Sequence, residues 1–304
     1  MGQGLSIVRP LVYSDAVLTA TNVTEAETLW SAAATYALDA AVYLIEDGVH
    51  QRYVSLAGSN LNKPPATSPT WWRSEGATNR WAMFDASSSS GTSRATSIDV
   101  TLTLPASERA DTLYLQGLDA RTVRVQVTDP LAGAVYDQTF SLADPGIITD
   151  WYAWMFEPVV FKTELLVTGL PNGAGSVITV TITSTGGTAV CGNAVVGQRQ
   201  FIGLTRWGAK TEIRDYSVFD DDAFGNRVFI PRAYRRLTSA EILIENRVKD
   251  SVEDLLAAAR ASVRLYIFDE DYRSLNVLGT ARWSGGMDLA PTYSVHSFQA
   301  ESIV

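Results

Sequence analysis

Three segments alternate strictly between apolar and polar residues. In "SIDVTLTL", Ile98, Val100, Leu102 and Leu104 fall on one side and Asp99, Thr101 and Thr103 on the other. "RTVRVQVT" repeats the pattern with Val123, Val125 and Val127, and "SVITVTIT" with Ile178, Val180 and Ile182. A period of two is the signature of a strand with one buried and one wetted face. Gly, Pro, Asn and Asp clusters separate such segments, and "ELLVTGLPNGAGSVITVTIT" reads as two strands around a turn at Pro171, Asn172, Gly173 and Gly175. The spacing predicts an antiparallel β-sandwich over residues 83–205.

The pattern changes near Trp207. "DSVEDLLAAARASV" sets Val252, Leu255, Leu256, Ala259 and Val263 at helical spacing, with Asp250 or Ser251 as the expected cap. Strand-like runs flank it on both sides, so residues 206–304 read as an α+β unit with one amphipathic helix. Residues 1–26 read as an N-terminal arm. The expected fold class is therefore mainly β, with a small three-stranded aromatic module over residues 27–82, then the sandwich, then the α+β unit.

That module is dense in large side chains. Trp30, Tyr36, Tyr43, Tyr53, Trp71 and Trp72 fall within it. Asp47-Gly48 between two apolar runs predicts a hairpin, and Pro64, Pro65 and Pro69 enforce a loop before the tryptophan pair. Adjacent residues of a strand point to opposite faces, so if Trp71 and Trp72 lie on a strand they cannot both face inward. Trp30 and Tyr36 are expected in the core. Tyr53, Trp71 and Trp72 are the candidates for meeting a ligand or partner.

Composition narrows the chemistry. The chain has one cysteine, Cys191, and two histidines, His50 and His296, which excludes an internal disulfide and the usual Cys/His zinc sites. A net charge of −9 argues against specific nucleic-acid binding, which needs clustered Lys and Arg. No apolar run reaches the roughly 20 residues of a membrane-spanning helix, so no membrane insertion is expected, and "MGQGLSIVRPLVYSD" lacks the pattern of a secretion signal. Asp220, Asp221 and Asp222 do not alternate as calcium-loop ligands do and read as a charged turn, as does Asp269-Glu270-Asp271. Cys191 reads as buried packing. No metal, cofactor or catalytic group is expected. Blocks of opposite charge, Asp220, Asp221 and Asp222 against Arg232, Arg235 and Arg236, suit a contact between copies of the chain in a ring or trimer.

The order Trp30, "TY", Asp47-Gly48, Tyr53, "GSNLNKPP" and "TWW" resembles the chitin- and cellulose-binding modules of families 5 and 12, which implies Tyr53, Trp71 and Trp72 as carbohydrate-stacking residues. "ATNRWAMFD" (Ala77 to Asp85), together with "GLTRWG", "DYS" and "DAFGN" further on, resembles tail-tip and baseplate proteins of tailed bacteriophages. The resemblance implies a galactose-binding-like sandwich and a non-enzymatic structural role around the distal tail. It implies other tail proteins and a host-surface glycan as partners, and a place in the virion after synthesis in the host cytoplasm. A stand-alone carbohydrate-binding adhesin is the alternative, and a polysaccharide depolymerase a third.

Overall fold

The computed structural model describes residues 4–87, 89–144, 146, 150–221, 226–285 and 292–303, with Ala153 by its backbone alone. The protein is mainly β, with several antiparallel sheets. Its first strands are β1 (Leu5–Pro10), β2 (Leu18–Thr21), β3 (Thr28–Leu29), β4 (Thr35–Tyr36), β5 (Ala41–Glu46), β6 (Val49–Ser55), β7 (Asn60–Leu61) and β8 (Trp72–Ala77). Then come β9 (Thr92–Thr103), β10 (Thr112–Gln116), β11 (Thr122–Asp129), β12 (Gly133–Ser141), helix α1 (Trp151–Phe156), β13 (Glu164–Thr168), β14 (Val177–Cys191) and β15 (Asn193–Thr205). The last are β16 (Lys210–Asp215), β17 (Val218–Asp221), β18 (Arg227–Ile230), β19 (Tyr234–Glu245), helix α2 (Lys249–Ala259), β20 (Arg264–Ile267), β21 (Asn276–Gly285) and β22 (Tyr293–Ser302). The chain forms two compact units, Leu11–Val196 and Met1–Pro10 with Gly197–Val304.

Within Leu11–Val196 the three alternating segments become β9, β11 and β14, hydrogen-bonded in the order β12-β11-β14-β9-β2. Their apolar faces align in rows across the sheet. Ile98, Ile182 and Val123 are level, as are Val100, Val180 and Val125, and Leu102, Ile178 and Val127. All nine are buried in one cluster that includes Leu113, Leu115 and Val167 from β10 and β13, which makes this part sandwich-like. One expectation fails. The Pro171–Gly175 reversal does not close a hairpin, because β13 pairs with β10 while β14 pairs with β9 and β11. The turn passes the chain from one layer to the other.

The aromatic module has four strands rather than three, in the order β3-β5-β6-β8, with the two-residue β3 parallel to β5. The β5–β6 turn is built as its residues require. Asp47 and Gly48 have φ of 48° and 82°, the left-handed pair of a two-residue hairpin loop.

The second unit is a closed antiparallel barrel. β15 pairs with β1, β1 with β20, β20 with β21, β21 with β22, β22 with β19, and β19 returns to β15 through Leu204–Leu243 and Thr205–Ile242. The N-terminal segment is thus a barrel stave rather than an arm. Leu5, Ile7 and Val8 are buried, and nothing local in "GLSIVRP" reveals the partners that bury them. Accordingly, this compact unit takes in Gly197 onward together with the first ten residues, and does not begin at residue 206. Helix α2 buries Val252, Leu256 and Ala259 as the periodicity requires. It starts at Lys249, before both expected caps, and Val248 stands at the cap position without a side-chain bond. Asp250 lies in the first turn, where a carboxylate favours the helix dipole.

Candidate interaction surfaces

In the aromatic module the structure inverts part of the expected arrangement. Tyr53 is 7% exposed and Trp72 2%, and with Val42 they form the module's core. Tyr53 lies opposite Val42 on β5 and donates its hydroxyl to Glu46 at 2.8 Å. Burial first, then the Glu46 carboxylate, push the Tyr53 phenol up to about 12. The Trp72 indole donates to the Lys63 carbonyl at 2.7 Å and meets the Tyr36 ring edge-on at 5.2 Å between centroids. Neither ring offers a face to solvent, so neither can stack on a sugar.

Trp30, Tyr36 and Trp71 are instead half-buried and pack against that core from its margin. Trp71 lies in the turn just before β8, outside the strand's alternation, and keeps part of its surface accessible while packing against the same core. The Lys63 ammonium lies 5.6 Å from the centre of the Trp71 ring, within cation–π range. The Tyr36 hydroxyl accepts from the Ser31 amide at 2.7 Å, which holds its ring in place. Each of the three keeps accessible aromatic surface, and Lys63 adds an ammonium beside Trp71, groups suited to an amphipathic ligand.

On β6 of this module the buried His50 centres a polar cluster that the spacing of residues did not reveal. The His50 ring lies between Glu25, 2.7 Å from Nδ1, and Asp15, 3.1 Å from Nε2, and stacks on Tyr43 at 4.6 Å. Thr78 donates to the same Glu25 oxygen at 3.1 Å. The two carboxylates address opposite ring nitrogens, so the three donors do not converge on a point. Among the described residues no group of three or more His, Cys, Asp or Glu is placed to hold a metal ion.

The barrel unit carries the most prominent surface feature. β16 and β19 run on as a long hairpin from Lys210–Ser239 to Asp215–Tyr234, and β17 with β18 form its far end. β22 accompanies β19 only as far as Leu237–Glu301, so the hairpin projects beyond the sheet as a two-stranded arm. Registration of Phe219 with Phe229 and of Asp221 with Arg227 puts these four on one face. Val218, Asp220, Val228 and Ile230 occupy the other. Phe219 is 56% exposed and Phe229 65%, and their rings meet at 5.6 Å.

Of the expected contact residues, Asp220 and Asp221 lie on β17, Arg232 just past β18, and Asp222 outside the described residues. Arg235 and Arg236 have work at the root of the arm. Arg235 donates to Glu301 at 3.1 Å and covers the Tyr216 ring, and Arg236 donates to the carbonyls of Arg273 and Asn276. They brace the arm on the barrel, which a linear reading of charge blocks could not distinguish from an outward contact.

Two further apolar surfaces stand out. Helix α1 in "DWYAWMFEP" exposes Trp151, Tyr152, Trp154, Met155 and Phe156, a cluster that an amphipathicity test misses because it is apolar all round. A groove of about 810 Å³ lies between β15 and α2, lined by Phe201, Leu204, Leu243, Val252, Leu255 and Tyr293. By contrast Cys191 is buried and its thiol is pushed up to about 12 by burial, the opposite of an activated nucleophile. Asp269-Glu270-Asp271 falls in the β20–β21 connection, where Glu270 pairs with Arg199.

Comparison with protein-family models, with curated proteins and with solved structures gives no match.

Proposed function

We propose that this protein is a structural subunit of a tailed-phage tail tip or baseplate that assembles in several copies and meets host-surface glycan through its aromatic module. The observation that carries the reading is the projecting arm. A two-stranded hairpin is marginal in water by itself, yet this one exposes large apolar side chains on both faces. Such an element is suited to completing its burial against another subunit. The exposed rings of α1 add a second surface of the same kind, and the sequence resemblance supplies the setting.

Light scattering across a concentration series tests the reading. Multi-copy assembly is expected, and a monomer at the highest concentration reached counts against it. The half-buried Trp30, Tyr36 and Trp71 favour a second reading, a free-standing carbohydrate-binding adhesin. A glycan array with Trp30→Ala, Tyr36→Ala and Trp71→Ala tests the sugar face that both readings share. Binding that survives all three substitutions would place glycan contact elsewhere.

A further inference from the structure

The two edges of the arm's tip carry charges of opposite sign. Strand β17 ends in Asp220 and Asp221, while β18 begins with Arg227, and Arg232 follows it. Among the described residues, β17 and β18 form a sheet of two strands, so each has one backbone edge with no strand beside it. Exposed edges are templates for further pairing, and proteins commonly blunt them with charge. Blunting works when both edges bear the same sign. Here an acidic edge and a basic edge would attract one another and repel their own kind.

We propose that β17 of one copy adds to β18 of the next, so that the arm tips of successive copies join into one continuous antiparallel sheet. This rests on the reading that the protein assembles in several copies, and names the contact. The register follows from the hairpin itself. Arg227 already faces Asp221 within its own arm, with Arg227 Nε and Asp221 Oδ1 4.0 Å apart. A neighbour set at the same level presents its own Asp221 on the other flank of Arg227, giving alternating charge along the row. The Phe219–Phe229 pair likewise extends into a ladder of rings on that face, and Val218 with Ile230 into an aliphatic ladder on the other. Side chains exposed in a lone arm thereby gain cross-strand neighbours on both sides. Pro231 closes the run at the base, because it has no N–H to donate to another strand. The contact joins two different edges, so it is heterologous and generates a ring or an open stack rather than a two-fold dimer.

The test uses the full chain with Asp221→Arg, with Arg227→Asp, and with the two variants mixed in equal amounts. Both positions are exposed, and unchanged melting confirms the fold. In sedimentation velocity each variant alone should associate roughly tenfold more weakly than the parent, because the shared row becomes like-charged. The mixture should recover, because copies alternating in sign restore every contact between neighbours. Parent-like association of either variant alone, or a mixture that stays dissociated, overturns the edge contact and leaves multi-copy assembly standing. A parent protein that stays monomeric removes both.

Discussion

Substituting Ile182 by alanine is the sharpest probe of the sandwich. Ile182 is fully buried on β14, level with Ile98 on one side and Val123 on the other. The substitution removes three carbons. At about 0.8 kcal/mol for each buried methylene the transfer loss is about 2.4 kcal/mol. Neighbours on two strands of a hydrogen-bonded sheet can close the gap only in part, so the cavity raises the total to about 3–4 kcal/mol. Ile182→Val removes one carbon and should cost about 1 kcal/mol. Thr181→Ala, one residue away on the opposite face, should stay within about 0.5 kcal/mol. The assay is urea unfolding read by hydrogen exchange in peptides from β9, β11 and β14, since a chain of two units need not unfold in one step. An Ile182→Ala cost below about 1 kcal/mol, or a Thr181→Ala cost that exceeds it, would refute the assignment of faces.

Four other outcomes follow from the geometry. Trp72→Ala should destabilise the aromatic module by about 3–5 kcal/mol, whereas Trp71→Ala, half-exposed, should cost far less; thermal melts of the two variants separate them. A Cβ at Gly279 would lie 1.9 Å from the Glu301 carbonyl oxygen across the β21–β22 pair, so Gly279→Ala should sharply lower the yield of folded protein, as seen by circular dichroism and size exclusion. Cys191 should resist alkylation at pH 8 in the native protein and react once urea is added, as followed by intact mass. Because the folded thiol holds its proton up to about 12 and the unfolded one does not, Cys191's contribution to stability should fall as pH rises from the ordinary thiol range towards 12; comparing urea midpoints with Cys191→Ser across that range measures it.

Much of the fold was legible because its signals are local. Alternation in "SIDVTLTL", "RTVRVQVT" and "SVITVTIT" names the buried face of each strand from neighbouring residues alone. Asp47-Gly48 specifies its hairpin, since a two-residue turn needs φ above zero at both positions. Val252, Leu256 and Ala259 specify the inner face of α2. The candidate surfaces were legible only in part. Alternation would separate Trp71 from Trp72 only if both lay on one strand, and Trp71 stands in the turn before β8; nor could it say which turns inward. The pairing of Ser55 with Trp72 across β6 and β8 decides that, along with the Lys63 carbonyl that receives the indole proton.

Partners distant in the chain were decided only by the tertiary structure. Leu5–Pro10 is a short apolar run until β15 (Asn193–Thr205) and β20 (Arg264–Ile267), far along the chain, take it between them and close the barrel. Tyr53 and Trp72 leave the solvent because Val42 and the margin of Trp30, Tyr36 and Trp71 enclose them. In the sequence the acidic block near residue 220 and the basic block near residue 235 read equally as contact surfaces. Only the register of the hairpin separates Arg235 and Arg236, bound to the barrel at its root, from Asp221 and Arg227 at its tip. Sequence period sets which side of a strand is apolar, because that depends on neighbours along the chain. What covers that side depends on contacts the backbone makes only after it has turned back on itself.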